Sequence, residues 1–331
     1  MFNNFINELY QDPILFTGFE NITDRILFDC GYMFSLPLKD IQRISSVFVS
    51  HTHFDHFIGF DHILRLCIEQ DRVIELYGPE GFIEQVAGKL SGYSWNLCED
   101  LGLDFVVREY NSSFYKEIVL KGNEAYKINS NKTSFSFSNI LKDNDVYRVE
   151  TALLDHKITS MAFSVIEKDF LKVKKEVLLD LGIKGGPWLG ALREEFLSGS
   201  MDAAAVIEFP SARIFTKKEL SDKLFTIKKG KKVSYVVDTI FSKDTENKIL
   251  DLIKDSDEFY CECVFLEEDA DKACLNHHLT AKQAGILARL GNVKKLIPIH
   301  MSKRYSNRYW ELIKEAKEEF SEISLPEKYR D

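Results

Sequence analysis

In this 331-residue chain, a dense cluster of histidines directly follows an apolar segment. Residues 47–50 (Val-Phe-Val-Ser) lead into the hexapeptide 51–56 (His-Thr-His-Phe-Asp-His). Side chains alternate along an extended segment, so His51 and His53 point to the same side, whereas Asp55 and His56 follow where the chain turns away. Two pairs of donors that face different ways favour two metal ions over one.

Three further apolar runs, distant in sequence, also end on side chains that bind metals. Residues 152–154 precede Asp155 and His156, residues 235–237 precede Asp238, and residues 296–299 precede His300. In a layered α/β protein, groups at the ends of neighbouring strands converge on one edge of the sheet, where catalytic loops usually lie. Imidazole suits zinc and iron, and an aspartate can bridge two ions. The pattern therefore predicts a dinuclear site made of His51, His53, Asp55, His56, His156, Asp238 and His300.

Each isolated histidine also has a simpler structural interpretation. A single histidine after a strand is commonly a hydrogen-bonded structural residue, and we interpret His62 and His277 in this way. The hexapeptide is different, because packed imidazolium groups repel one another unless a metal or a partner keeps them neutral. Its presence strengthens the prediction for His156 and His300.

Composition limits the class of protein. Hydrophobic residues make up 45% of the chain and charged residues 29%, which is typical of a soluble globular protein. The sequence has neither a stretch of about 18 apolar residues nor the basic start and apolar run of a signal peptide, so we expect a cytoplasmic location. The six cysteines include no Cys-x-x-Cys pair, which argues against a disulfide framework or a thiolate zinc site.

The charge distribution leaves two interpretations open. The net charge of −9 has the wrong sign for a protein that is coated with nucleic acid. Residues 217–232, however, contain seven lysines against Glu219 and Asp222. This segment could contact phosphates, or it could be a solvated lysine face.

The motifs resemble those of the metallo-β-lactamase superfamily and, within it, of the ribonuclease Z branch. The string His-x-His-x-Asp-His at 51–56 resembles the superfamily signature, and Asp29 in residues 28–31 resembles the aspartate of the first motif. Residues 154–156 and 235–239 match the segments of the third metal-binding histidine and of the bridging aspartate. Residues 300–305 (His-Met-Ser-Lys-Arg-Tyr) match the His-x-Ser-x-Arg-Tyr ending of this branch. The resemblance extends from about residue 25 to residue 310.

The resemblance implies a fold and a metal content. The fold would be α/β, a four-layer αβ/βα sandwich with two mixed sheets flanked by helices, in one metallo-hydrolase domain over residues 1–331. The cofactors would be two Zn²⁺ ions, with Mn²⁺ or Fe²⁺ as alternatives. One ion would be bound by His51, His53 and His156, the other by Asp55, His56 and His300, with Asp238 between them.

The resemblance and the site chemistry also assign roles around the metals. Asp29 would orient the metal loop from behind, and Asp55 would orient or deprotonate the attacking water. Glu262 and His278 would together protonate the leaving group. A phosphodiester needs donors besides the metals, and Arg304, Ser302 and Tyr305 are available to bind the substrate phosphate.

Two segments depart from the pattern of the branch or match it weakly. The branch begins with a strand and a Gly-Thr-rich loop that shapes the substrate pocket, whereas residues 12–19 here read Asp-Pro-Ile-Leu-Phe-Thr-Gly-Phe. The arm that clamps the body of tRNA has a candidate counterpart in residues 181–190, and we place an inserted substrate-binding arm at 168–215. Relatives form homodimers in which the arm of one subunit reaches RNA bound to the other, so the resemblance implies a homodimer.

Periodicity and capping signals predict three helices near these motifs. Residues 58–70 have an apolar face with helical spacing. Thr280 and Gln283 have the spacing of a capping box, and Gly291 is a plausible stop, so residues 281–290 are expected to be helical. A helix through residues 249–253 would be capped by Asp244 or Thr245.

The predicted function is a zinc-dependent phosphodiesterase, a ribonuclease Z-like endonuclease that removes 3′ trailers from precursor tRNA. The alternative is a phosphodiesterase of cyclic nucleotides or other small phosphodiesters, favoured by the altered N-terminal segment and the acidic charge. A flavodiiron-type oxidoreductase would need a glutamate in place of one donor and a flavin domain. A non-catalytic binding or scaffold protein would tolerate loss of metal donors, whereas all seven are present here. A hydrolase of lactams or thioesters is compatible with the fold alone, but the ending at 300–305 argues against it.

Overall fold

The structure is a computed structural model that describes residues 1–20, 22–128, 132–209 and 214–325. It divides into two compact units, one formed by Met1–Glu167 with Lys231–Asp331 and the other by Lys168–Gly230. The candidate arm at 168–215 lies within the second unit, and its residues 210–213 are outside the described part of the chain. None of the described helices is long and apolar enough to span a membrane.

The first sheet of the larger unit has eight strands that lie side by side in chain order. The strands from β3 to β6 run parallel, and the pairs outside them are antiparallel. The strands are β1 (Phe2–Phe5), β2 (Leu15–Gly18), β3 (Arg25–Phe28), β4 (Ile44–Phe48), β5 (Arg72–Pro79), β6 (Leu103–Tyr110), β7 (Phe114–Lys121) and β8 (Thr133–Ser136).

Parallel strands need crossover connections, and helices provide them here. The helices between β3 and β6 are α1 (Leu38–Ile41), α2 (Phe54–Phe57), α3 (Phe60–Cys67) and α4 (Phe82–Ser91). Their apolar residues pack on one face of the sheet, in a core that includes Ile41, Phe60 and Val86.

The second sheet has six strands in the order β18-β17-β16-β11-β10-β9. These are β9 (Ile140–Asp143), β10 (Tyr147–Asp155), β11 (Thr159–Glu167), β16 (Lys232–Val236), β17 (Glu258–Glu262) and β18 (Leu296–Ile299). Strands β16, β17 and β18 are parallel, so their carboxyl ends lie at one edge. Helices α8 (Lys243–Ile253), α9 (Ala270–Asn276), α10 (Ala281–Leu290) and α11 (Tyr309–Glu319) belong to this half. Short 3-10 helices occur at Gly122–Glu124, Glu267–Asp269 and Lys303–Tyr305.

Large aromatic side chains fill the space between the two sheets. Phe28 of the first sheet lies 5.4 Å from Phe48 and, across the interface, 5.5 Å from Phe163 and 6.0 Å from Tyr235 between ring centroids. Helical residues cover the outer faces of the two sheets. Each sheet therefore buries one face against the other sheet and one against helices, which confirms the predicted four-layer αβ/βα sandwich.

The smaller unit contains three helices and two small antiparallel sheets in its described residues. The helices are α5 (Lys175–Asp180), α6 (Pro187–Ser198) and α7 (Lys217–Leu224). The sheets pair β12 (Phe170–Val173) with β15 (Phe225–Lys228) and β13 (Val206–Glu208) with β14 (Ile214–Thr216). Leu171, Leu192 and Leu220 are part of a hydrophobic core within this unit.

The three helix predictions have different outcomes. Helix α10 has the predicted bounds and the predicted capping box of Thr280 and Gln283, so this prediction is confirmed. The predicted caps of α8 are wrong, because Ser242 is the N-cap and Thr245 completes its capping box. The predicted helix over 58–70 begins later, at Phe60, and a separate turn of helix precedes it. The break falls at Gly59, where an added Cβ would lie 2.2 Å from the carbonyl oxygen of Gly31.

Candidate metal centre

The loops after four strands carry the predicted donors. His51 follows β4, His156 follows β10, Asp238 follows β16 and His300 follows β18. Asp238 and His300 have φ angles of 50° and 49°, and Asp29, which follows β3, has a φ of 56°. Such left-handed backbone is uncommon for residues other than glycine and clusters at functional sites. It marks the points where the chain leaves a strand and turns a donor toward the site.

The structure brings all seven predicted donors together. His51, His53, His156 and Asp238 form one group in which each residue offers a ligand atom within 4.8 Å of the others. Asp55, His56 and His300 form a second group by the same measure. Asp238 lies between the groups, because its Oδ2 is 3.4 Å from Nε2 of His51 and 3.4 Å from Nε2 of His56.

Buried polar atoms without partners show that the donor set fits a cation. Four atoms of the cluster lack a hydrogen-bond partner within the described part of the chain, namely Nε2 of His51, Nε2 of His56, Oδ1 of Asp238 and Nδ1 of His300. The last two lie 2.8 Å apart but are not in hydrogen-bond geometry. A buried polar atom without a partner costs about 1–3 kcal/mol. Bound cations would satisfy these atoms, so the residues fit a metal centre.

Asp29 holds the hexapeptide from behind. Its carboxylate accepts hydrogen bonds from the backbone N of Ser50 (2.6 Å), from Oγ of Ser50 (2.9 Å), from Nδ1 of His56 (2.8 Å) and from the hydroxyl of Tyr235 (2.8 Å). A carboxylate on Nδ1 leaves Nε2 of His56 directed at the site and fixes the orientation of the ring.

Sequence reasoning missed three of the groups that support the donors. Ser50 and Tyr235 both bond to Asp29, and the carbonyl oxygen of His277 accepts a hydrogen bond of 2.7 Å from Nδ1 of His156. Only Ser50 carried a local signal, because it lies directly before the hexapeptide. The other two contacts depend on residues that are far apart in sequence.

Burial and charge set the protonation of the histidines in opposite directions. Burial, assisted by the neighbouring His56, lowers the pKa of His51 to about 2. Burial also disfavours the charged form of His56, but the carboxylates of Asp29 and Asp238 outweigh it and raise the pKa of His56 to about 10. The pKa of His300 is raised well above its ordinary value for the same reason, mainly by Asp238. Cations bound at these nitrogens would displace protons from His56 and His300.

Glu262 and His278 form a pair beside the cluster. Oε2 of Glu262 lies 2.8 Å from Nδ1 of His278, and its Oε1 accepts bonds of 3.1 Å from the backbone N of Thr239 and of Leu279. Burial disfavours a charged His278, yet Glu262 outweighs it and raises the pKa of His278. Glu262 and His278 also form a third group of candidate ligands with Asp238 and His300. The pair can hold a proton next to the donors.

The predicted phosphate-binding residues lie on the 3-10 helix Lys303–Tyr305 and its N-cap. Arg304 is half-exposed, and its Nη1 lies 3.4 Å from Oδ2 of Asp269. Tyr305 is buried and its hydroxyl donates to the same carboxylate, while Oγ of Ser302 accepts a bond of 3.3 Å from the backbone N of Arg304. Ser302 and Tyr305 therefore bond within the protein, and Arg304 offers the exposed donors. Contact with a substrate phosphate stays a prediction for all three.

Comparison with known proteins relates this fold to a family. The model of the Beta-lactamase superfamily domain matches residues 24–94. Ribonuclease Z of Deinococcus radiodurans is 27% identical over 313 residues, covering 92% of this chain and 91% of that protein. Ribonuclease Z of Archaeoglobus fulgidus is 27% identical over 329 residues, with coverages of 96% and 90%.

Solved structures agree at the level of the fold. The metallo-beta-lactamase fold protein YhfI of Bacillus subtilis has a TM-score of 0.56 at 14% identity and covers 98% of this chain and 94% of its own. The short form of human tRNase Z has a TM-score of 0.53 at 19% identity, with coverages of 91% and 90%. These structural likenesses confirm the predicted metallo-β-lactamase fold. The sequence relatives and the family model show that the chain resembles ribonuclease Z over most of its length and is a metal-dependent hydrolase, as the motifs predicted.

Proposed function

We propose that this chain is a ribonuclease Z-like endonuclease that removes 3′ trailers from precursor tRNA with two divalent cations, in first place Zn²⁺, in the donor cluster. The observation that carries the proposal is the convergence of seven donors in two groups, His51, His53 and His156 on one side and Asp55, His56 and His300 on the other, with Asp238 between them. Ribonuclease Z relatives that align over more than nine-tenths of the chain support the choice of substrate.

The residues of the cluster have different roles in the proposed reaction. Two cations held by these donors would lower the pKa of a bound water and stabilise the attacking and leaving oxygens of an in-line displacement. Asp55 orients the attacking water and accepts its proton. Its side chain is 43% exposed and therefore open to water, and its Oδ2 lies within the cluster, 3.4 Å from Nε2 of His300. Asp29 holds His56 in place through the bond to Nδ1.

The leaving oxygen needs a proton when its bond to phosphorus breaks. His278, whose pKa is raised by Glu262, supplies that proton, and the two backbone N–H groups that bond to Glu262 hold the carboxylate in position. Arg304 binds a non-bridging phosphate oxygen, since its guanidinium is exposed and a planar fork suits phosphate. Ser302 and Tyr305 hold the turn that presents Arg304.

The candidate arm at 168–215 is proposed to bind the tRNA body. It lies in a unit that has its own core, so it can be a preformed binding element. Of the lysines in 217–232, Lys217 pairs with Glu195 at 2.6 Å and Lys229 with Asp169 at 2.6 Å, so part of this charge is already neutralised. We further propose a homodimer in the cytoplasm, by likeness to the branch.

Substrate choice tests the proposal. Metal-loaded protein is incubated at low salt with a precursor tRNA that carries a 3′ trailer and, separately, with a 3′,5′-cyclic nucleotide. We expect cleavage of the RNA at the end of the acceptor stem and loss of that cleavage after chelation of the metal. Hydrolysis of the cyclic nucleotide together with indifference to the RNA would contradict the proposal and favour the small-phosphodiester alternative.

A further inference from the structure

Three aromatic rings form a contiguous cluster at the surface that the proposed chemistry does not use. The side chains of Tyr32 and Phe34 are 56% and 63% exposed. The ring centroids of Tyr32 and Phe34 are 4.6 Å apart, and those of Phe34 and His62 are 4.3 Å apart. Large aromatic side chains are usually buried, so a contiguous exposed set indicates a binding surface. Tyr32, Phe34 and His62 are called the aromatic platform below.

The platform borders a cavity rather than a flat face. The cavity has a volume of about 290 Å³ and is lined by the three rings together with Ile58, Gly59 and Arg65. A stable protein interface needs a contact area of roughly 800 Å² on each partner. A concave site of this size with ring walls instead suits a single planar group, such as a nucleobase.

The backbone under the platform is tightly held. The backbone N of Tyr32 donates to Oδ2 of Asp12 at 3.1 Å, and Nδ2 of Asn7 donates to the carbonyl oxygen of Tyr32 at 2.7 Å. An added Cβ on Gly31 would lie 2.4 Å from the carbonyl oxygen of Asp55. The loop is therefore pressed against the helix that carries donors, and the backbone that carries the platform is held in place by the protein itself. A preformed site binds at a lower entropic cost.

The charge around the cavity favours an anion next to a planar group that binds in the cavity. Arg65 is exposed and makes no ion pair with any residue in the described ranges. Asp61, which also lines the cavity, is held by Lys89 at 2.6 Å. A guanidinium next to surface aromatic rings matches the combination of phosphate and base in a nucleotide.

The platform is continuous with the metal centre along the chain. The backbone N of Cys30 donates to the carbonyl oxygen of His56 at 2.9 Å, and the backbone N of Gly59 donates to the carbonyl oxygen of Cys30 at 2.7 Å. Phe54, which is 76% exposed, lies between the donors His53 and Asp55 in sequence. The segments that carry the platform and the donors Asp55 and His56 are therefore joined by backbone hydrogen bonds.

We propose that Tyr32, Phe34 and His62 stack on an unpaired nucleobase of an RNA strand whose cleaved phosphodiester lies at the metal centre, with Arg65 on a neighbouring phosphate. This inference rests on the proposed function and identifies a second contact for the same substrate. Stacking tolerates any base, so the platform selects for an unpaired nucleotide rather than for a sequence. It favours RNA with a single-stranded segment at the cleavage site over small phosphodiesters.

Steady-state kinetics with matched RNAs tests the platform. The substrates are a precursor tRNA with a 3′ trailer and the same RNA with abasic nucleotides at the unpaired positions on both sides of the cleaved bond. The variants are Phe34→Ala, Phe34→Trp and, as control, Leu38→Ala, whose side chain is 51% exposed but does not line the cavity. Melting temperature and metal content verify that each variant is folded and loaded.

We expect Phe34→Ala to raise KM for the intact RNA roughly tenfold, because a stacking contact is lost, with a much smaller change in kcat. Phe34→Trp and Leu38→Ala should keep the wild-type KM. On abasic RNA the KM of the wild type should rise to that of Phe34→Ala. An unchanged KM in Phe34→Ala, or an equal loss on intact and abasic RNA, would overturn the inference.

Two further measurements distinguish base stacking from self-association and from a failure of the proposed function. If light scattering shows that Phe34→Ala alters the mass of the assembly, the surface binds a second copy of the chain and the inference fails. If the wild type does not cleave the RNA, fluorescence anisotropy with the same labelled RNA decides the matter. Tighter binding by the wild type than by Phe34→Ala would support the platform and contradict only the proposed function. Equal or absent binding would contradict both.

Discussion

At the scale of residues, the cluster combines carboxylates and imidazoles that cannot all be satisfied by one another. Asp29 and Asp238 raise the pKa of His56, whereas burial lowers the pKa of His51. Four buried donor atoms nevertheless have no hydrogen-bond partner in the described chain. Burying these polar atoms without partners destabilises the folded protein. Bound cations would offset this destabilisation.

The role of Asp55 is tested by Asp55→Ala. We expect kcat to fall by roughly 10²–10⁴-fold, because a general base contributes about that much, and metal content to fall as well because one donor is lost. Turnover and metal content are measured together. Asp155→Asn is the control, since Asp155 is the last residue of strand β10 and its Oδ1 accepts a bond of 2.8 Å from the backbone N of Lys157, outside the donor set. Hydrolysis retained by Asp55→Ala would end this assignment.

The pairing of Glu262 with His278 predicts a pH effect. Glu262 raises the pKa of His278 against the effect of burial, so Glu262→Gln should lower that pKa. An acid works only below its pKa, so the alkaline limb of kcat should move to lower pH, with a larger loss at pH 8 than at pH 6. Glu268→Gln serves as control, because Glu268 is on the surface and pairs with Arg308. An alkaline limb in the wild-type position would show that His278 is not the acid.

Tyr235 is expected to act on metal affinity through Asp29. Tyr235→Phe removes one of the hydrogen bonds to that carboxylate, and loss of such a supporting contact lowers metal affinity about 10–100-fold. We expect a value near the lower limit, because Ser50 and His56 still bond to Asp29. Chelator competition measures the affinity. Tyr77→Phe is the matched control, a buried tyrosine whose hydroxyl bonds to Arg108. Equal affinities in both variants would contradict this account.

At the scale of elements, the sequence predicted those parts whose signals are local. The bounds of α10 follow from a capping box and a glycine that are contiguous with the helix. The strand ends that carry His51, His156, Asp238 and His300 could be predicted because each is an apolar run followed by a donor. The break before α3 could not, since it depends on Gly59 approaching Gly31 from another loop. The bond between Tyr235 and Asp29 joins residues 206 positions apart and depends on how the sheets pack.

The second unit can be removed at a defined point of the sheet. Strands β11 and β16 are antiparallel neighbours, with Ile166 opposite Lys232, and the backbone N of Glu167 donates to the carbonyl oxygen of Lys231 at 2.8 Å. Replacing residues 168–230 by the two-residue turn Asn-Gly should therefore leave a hairpin and an intact metal centre.

We expect this deletion variant to hydrolyse bis(p-nitrophenyl) phosphate while losing most cleavage of precursor tRNA, because the candidate arm at 168–215 is gone. Circular dichroism and metal content show whether the larger unit remains folded. Efficient cleavage of precursor tRNA by the variant would refute the assignment of an RNA-binding arm. Loss of both activities with metal retained would show that the unit supports the chemistry itself.

At the scale of the whole molecule, two sheets built from distant parts of the chain contribute to one site. The first sheet contributes the hexapeptide after β4, and the second contributes His156, Asp238 and His300 after β10, β16 and β18. The aromatic core between the sheets sets the distance between these loops. Net charge gives little guidance at this scale, since a chain of charge −9 can still meet RNA through a few local contacts such as Arg304 and Arg65.

Seven donors from both halves of the fold are proposed to hold a pair of cations. A crystal grown with Zn²⁺ and measured on both sides of the zinc absorption edge tests it directly. The account predicts two anomalous peaks about 3.5–4 Å apart, one among His51, His53 and His156, the other among Asp55, His56 and His300, with Asp238 in contact with both. A single peak, or peaks that leave Asp238 or His300 without a bond to metal, would contradict it.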